Sequence, residues 1–155
     1  MSGDLKGSFM SWPMKKMFLP LMLVFSLLSS VGVAAESHGN ADQIKDQATA
    51  ALERIIQAIS EGDYGLYTRD FSKGMKDSQD RESFLNLQSN LRRGLGKFKS
   101  MEYLGFYIQY GGTITLFKAR FSKEKEDVLI KLVLDLKKSP PQVTGLWFDS
   151  PSLEK

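Results

Sequence analysis

At 155 residues the chain fits one domain with at most a short extension, and 42% hydrophobic with 25% charged residues excludes a wholly disordered polymer. The formal charge is +3, but Lys6, Lys15 and Lys16 stand against Asp4 alone in the first 35 residues, so the remainder carries 18 basic and 17 acidic groups. That balance excludes the dense basic surface a nucleic-acid binder needs, and the absence of cysteine excludes thiol catalysis, cysteine-based zinc sites and disulfides.

The first thirteen residues carry no targeting logic, which makes Met14 a candidate initiator. Met14-Lys15-Lys16 is a short basic segment, Met17–Val33 is uncharged and mostly apolar, and Val33-Ala34-Ala35 supplies the small residues of a cleavage site. This is the order of a secretory signal peptide, and it places the remainder in the periplasm or outside the cell. An uncleaved anchor is the alternative, since Met17–Ala35 is long enough to span a bilayer. Pro20 and the serines at 26, 29 and 30 argue against it. A membrane is a partner only if the leader stays attached.

Residues 36–41 are polar and read as a flexible start to a single domain over 42–150. Asp42 is an N-cap candidate, and Ile44, Ala48, Leu52, Ile55 and Ile59 recur at helical spacing until Gly62. Tyr64–Ser72 predicts a second, two-turn helix carrying Leu66, Tyr67 and Phe71 on one face, closed by Gly74. Asp80 then caps a third helix with Phe84, Leu87, Leu91 and Leu95 along one side, fraying at Gly94 and Gly96. Arg92, Arg93, Lys97 and Lys99 near its end complement the helix dipole.

After Phe98 the period changes to alternation. Met101–Tyr110 and Thr113–Phe121 read as strands joined by a Gly111-Gly112 hairpin turn. Lys118 and Arg120 share one face of the second strand, and Phe117, Ala119 and Phe121 the other. A charged turn, Lys123–Asp127, leads to a strand over Val128–Leu136 with Ile130, Leu132 and Leu134 facing in and Lys131 and Asp135 facing out. Ser139-Pro140-Pro141 breaks the chain before a last strand, Gln142–Asp149, and a loose tail over 151–155. Helices followed by sequential strands with short turns predict an α+β class: three helices on a four-stranded antiparallel sheet.

Chemistry-bearing residues are sparse. His38 is the only histidine and lies in the polar start, so a Ser-His-Asp arrangement or a histidine metal site has no partner in the folded part. Glu124, Glu126 and Asp127 sit among lysines in a solvated turn without calcium-loop spacing. Asp63 and Asp70 flank the tyrosine-bearing segment and are the candidate bases if a carboxylate faces an apolar cavity; as a turn residue and a surface charge they need no such role. Tyr64, Tyr67, Phe71, Tyr103, Tyr107, Phe117 and Trp147 suit either core packing or the wall of an apolar pocket. Tyr67, Phe71, Tyr107, Phe117 and Trp147 are the expected ligand contacts. No metal or cofactor is expected.

Several short motifs resemble one superfamily. They are Glu61-Gly62-Asp63-Tyr64, Phe71-Ser72 with Met75, Leu95-Gly96-Lys97-Phe98, Lys118-Ala119-Arg120-Phe121 and Gly145-Leu146-Trp147-Phe148. Over 42–149 the chain is similar to the superfamily of nuclear transport factor two and ketosteroid isomerase, also described as cystatin-like. More narrowly, it resembles a bacterial family of exported domains of unknown function within it. The resemblance implies helices over a strongly curved, cone-shaped sheet with an internal pocket, and often a homodimer. Some members are isomerases or dehydratases, and many only bind. The isomerase trio of a carboxylate base, a tyrosine and a protonated aspartate has no counterpart here; Asp135 and Asp149 are the strand-borne carboxylates. The expected function is a non-catalytic domain that binds a small apolar ligand or a protein partner. The alternatives are a small isomerase or hydratase, or a purely structural envelope protein.

Overall fold

The computed structural model describes residues 32–153, with side chains from residue 40 onward. The leader up to residue 31, with Met14 and Pro20, lies outside the described residues. Helix α1 (Gly32–Glu61) is 30 residues long and runs straight through both the predicted flexible start at 36–41 and the predicted cap at Asp42. The stretch holds no proline, and its one glycine, Gly39, costs a helix only about 1 kcal/mol relative to alanine. The packed turns downstream therefore carry the helix backward through it. Ile44, Ala48, Leu52 and Ile55 are buried along the predicted stripe, joined by Ala51, Ile56 and Ala58. The helix ends where Gly62, at φ +77°, and Asp63 both donate to the Ala58 carbonyl.

The predicted second helix is two shorter ones. Asp63 caps α2 (Tyr64–Thr68) by accepting from the Leu66 N–H at 2.9 Å. The chain then straightens, because Phe71 forms a parallel bridge with Val143 of the sheet: the Val143 N–H donates to the Asp70 carbonyl and the Ser72 N–H donates back to Val143. Ser72 caps α3 (Lys73–Ser78), which contains Gly74 instead of being ended by it. Asp80 caps α4 (Arg81–Gly94) as expected, accepting from the Ser83 N–H at 2.8 Å, and Phe84, Leu91 and Leu95 are buried.

The second half is an open antiparallel meander in the order β1 (Phe98–Gln109), β2 (Gly112–Phe121), β3 (Val128–Asp135), β4 (Gln142–Asp149). The class is α+β, with four helices among the described residues. The turn between β1 and β2 lies one residue earlier than expected: Tyr110 at φ +50° and Gly111 at φ +78° form it, and Gln109 pairs with Gly112. Two consecutive positive φ angles make the twist that a two-residue hairpin requires. The inward face is built in rows across the strands, such as Tyr103, Phe117, Ile130, Phe148 and then Phe106, Thr115, Leu132, Leu146. Phe117, Thr115, Ile130 and Leu132 are fully buried there beneath the helices. The Thr115 hydroxyl is satisfied by the Leu132 carbonyl at 2.8 Å.

The tail is not loose as far as residue 153. Ser150 is buried, residues 151–153 form a turn, and Leu153 packs against the core. No helix among the described residues is long and apolar enough to cross a membrane.

The end of α4 is locked to the sheet. Gly96 (φ +84°) follows it, the Lys97 N–H donates to the Ser122 hydroxyl at 2.8 Å, and the Lys123 N–H donates to the Leu95 carbonyl at 2.9 Å. A Cβ on Gly96 would stand 2.8 Å from the Lys123 Cγ, and closer still to the Ser122 hydroxyl. Gly96→Ala is expected to lower unfolding stability by roughly 2 kcal/mol, from the positive φ and the clash together. Urea denaturation of both proteins measures this, with an unchanged slope expected.

Candidate functional site

The five residues expected to line a pocket do not converge on one, although Tyr67 and Trp147 both border a cleft of about 550 Å³ beside α4. Tyr67, Phe71 and Phe117 are buried core, with Tyr67 packed against Phe71 at 4.8 Å and Phe84 at 4.7 Å between ring centroids. Tyr107 is 44% and Trp147 53% exposed, both on the opposite, outward face of the sheet. The cause is a pair of register shifts. Tyr103 and Tyr107 are in phase by alternation, but a bulge between Tyr103 and Gly105 inserts Leu104 and reverses every later side chain of β1. Val143 and Trp147 are likewise in phase, and the extra residue Thr144 between them reverses β4. Trp147 therefore lies over Gly145 and under the Lys131 ammonium, 6.0 Å from the ring centroid. Beside it Leu116, Ile114 and Val133 give the outward face a half-buried apolar centre.

The main cleft, about 1010 Å³, opens elsewhere, between the C-terminal half of α1, α4 and the ends of β1 and β2. Its apolar lining is Ile56, Ile59, Leu91, Phe98, Met101, Phe121 and Phe148. One wall carries Glu53 and Glu61 from α1; the other carries Arg92, Lys97 and Lys123. A shallower depression of about 440 Å³ adjoins it, lined by Gln88, Ser89, Arg92, Arg93 and Lys123 with no carboxylate among them. Arg92, Arg93, Lys97 and Lys123 form no ion pair among the described residues. Lys97 and Lys123 belong to other elements than α4, so the basic lip is more than a complement to one helix dipole. A second cleft of about 550 Å³ flanks α4 on its other side, between Tyr67, Met75, Leu87 and the Leu146–Phe148 stretch of β4. Sequence reasoning missed the main cleft because its apolar lining comes in ones and twos from five elements, and each apolar member looks like ordinary core.

The carboxylates considered as bases are engaged elsewhere and line none of these clefts. Asp63 is the exposed α2 cap, and Asp70 is held by the Arg54 guanidinium at 2.7 Å. Asp135 and Asp149 lie in outward rows, Asp149 in line with the Glu102–Lys118 ion pair. Burial, helped by the neighbouring Tyr64, pushes the Tyr67 phenol up to about 12, and burial also raises Tyr103, whose hydroxyl has no hydrogen-bond partner. No group of three or more His, Asp or Glu side chains converges as a metal site among the described residues.

Glu124, expected in a solvated turn, is the clamp for the tail. Hydrogen bonds from the Ser150 hydroxyl first, then Ser152 and the Glu126 and Lys125 N–H groups, hold its carboxyl down from 4.5 to about 2. Comparison with protein families, curated proteins and solved structures returns no match to this chain.

A carboxyl depressed by folding stabilises above its unfolded pKa and loses that contribution as the pH falls toward its folded one. The tail is therefore expected to stay docked above pH 4.5 and to release progressively as the pH falls from there toward about 2. Amide NMR shifts of Ser150 and Ser152 follow this, and Glu124→Gln should show the released shifts already at neutral pH.

Proposed function

We propose that this chain is an exported, non-catalytic binding domain, and that its ligand is an amphiphile with an apolar body and an anionic head. Export rests on the leader, with its basic start, apolar run and small residues before Glu36. Membership of the superfamily of nuclear transport factor two and ketosteroid isomerase rests on the short motifs. The helices-then-meander order and the strand bulges, which bend strands, agree with its cone.

The observation that carries the ligand class is the continuity of the main cleft with the basic depression. The two share Gln88, Arg92 and Lys123. An aliphatic chain laid against Ile56, Met101 and Phe121 gains roughly 0.8 kcal/mol per buried methylene. A carboxylate or phosphate head then meets unpaired guanidinium and ammonium groups, where each charge-assisted hydrogen bond contributes about 1.5–3 kcal/mol.

Isothermal titration of the purified chain with dodecanoate should give a saturable one-to-one isotherm. The Arg92→Glu, Lys123→Glu double variant should weaken it at least tenfold, and dodecyltrimethylammonium should bind more weakly than dodecanoate. An absent isotherm overturns the ligand class, and equal binding of the cationic amphiphile overturns the role given to the basic lip.

A further inference from the structure

Seven large hydrophobic side chains are exposed among the described residues, and five of them fall in one seven-residue stretch. These are Leu104 (50%), Phe106 (36%), Tyr107 (44%), Ile108 (69%) and Tyr110 (100%), the distal half of β1 and its turn. The stretch is apolar on both faces: Phe106 and Ile108 stand on the helix side, Tyr107 on the outward side. It is also the edge of the sheet, since β1 pairs with β2 alone among the described residues. The opposite edge is treated differently, for Phe71 bridges β4 at Val143. Edge strands are normally protected by lysine, proline or an inward charge. Between Tyr103 and Gly112 there is no charged residue and no proline.

We propose that this edge pairs antiparallel with the same edge of a second copy, joining two four-stranded sheets into one of eight. The sequence of the strand selects a copy of itself over another partner. Antiparallel pairing about a two-fold axis at Tyr107 sets Phe106 opposite Ile108 of the second copy on the helix side and Gly105 opposite Gln109 on the other. Residues directly opposite each other share a face, so apolar meets apolar in the Phe106–Ile108 rows on the helix side, tyrosine meets tyrosine at the axis, and glycine leaves room for glutamine in the Gly105–Gln109 rows. The nearest charge, Glu102, falls opposite Gly112 and meets no like charge. The regular ladder from Gly105 to Gln109 has the length of an ordinary strand. Its open N–H and C=O groups gain partners at the same time as the exposed side chains leave water.

Sedimentation velocity of the purified chain up to about 100 µM should show a dimer, the micromolar range being typical of a modest interface. Ile108→Lys should return it to monomer while leaving the circular dichroism unchanged, and the melting temperature too when both proteins are compared at concentrations low enough to be monomeric, because that side chain is mostly in solvent. Trp147→Glu, on the outward sheet face, should leave the dimer intact. The chain has no cysteine, so a single Tyr107→Cys should cross-link two copies on mild oxidation, the opposed Cα atoms lying within disulfide reach. Leu85→Cys, exposed on α4, should not. A monomer throughout that range overturns the proposal. So does a dimer that survives Ile108→Lys, or one that Trp147→Glu dissolves, which would place the second copy on the sheet face.

Discussion

The stripe of α1 from Ala48 through Leu52 to Ile55 is the surface against which the inner face of the sheet leaves water. A four-stranded meander with one apolar face does not stand alone, and one long helix is the largest cover this chain can lay over it. Small residues at 48, 51 and 58 let the helix approach closely, so the larger Leu52 and Ile55 reach the rows carrying Phe117, Ile130 and Leu132. Each fully buried side chain of that size contributes roughly 1.5–3 kcal/mol. The cover is incomplete, and its shortfall decides where everything else can happen.

That shortfall follows a direction. Along the row Ile108, Thr113, Leu134, Val143, exposure falls from 69% through 6% and 1% to zero. The protection at the β4 end comes from the segment between α2 and α3. Arg54 of α1 holds Asp70, Asp70 and Ser72 bond Val143, and Phe71 packs its ring on Tyr67. One ion pair, two backbone hydrogen bonds and an aromatic contact thus tie the first helix to the far edge of the sheet. Among the described residues nothing comparable reaches the distal half of the near edge. α4 is held by the buried Phe84 and Leu91, by the Gln88 amide at its middle on the Ile59 carbonyl and by the Gly96 junction at its C-terminal end, and clefts open on its two flanks.

Much of this was legible in the sequence, for local reasons. Alternation from Met101 onward marks the strands, the Asp80 cap starts α4 where expected, and the stripe from Ile44 to Ile55 is buried as its spacing requires. What failed was non-local. Phe71 leaves its helix for a partner 72 positions away, which no local pattern announces. The start of α1 moved because a packed helix propagates through indifferent residues. Tyr107 and Trp147 were misplaced through the bulges, whereas Tyr67, Phe71 and Phe117 are core: with alternation assumed unbroken, Tyr107 follows Tyr103 inward and Trp147 follows Val143. One inserted residue in each strand sends both outward. Gly105, at φ +147°, is the trace the first bulge leaves in the sequence, since a glycine inside a strand commonly marks one.

The same bulge links fold and surface. Without Leu104 as an extra residue, Tyr107 would join the inner rows, and Phe106 and Ile108 would turn outward. With it, the strand continues past the reach of the helices carrying apolar groups on both faces. A strand selected only to finish a monomer's sheet gains nothing from that arrangement, since two-sided apolarity costs solubility at an edge and adds no burial within one chain. It gains something only when another surface meets both faces and the backbone edge together. Edge pairing is the geometry that satisfies all three at once, whereas stacking against the outward face would cover Tyr107 and Trp147 and leave Phe106 and Ile108 in water.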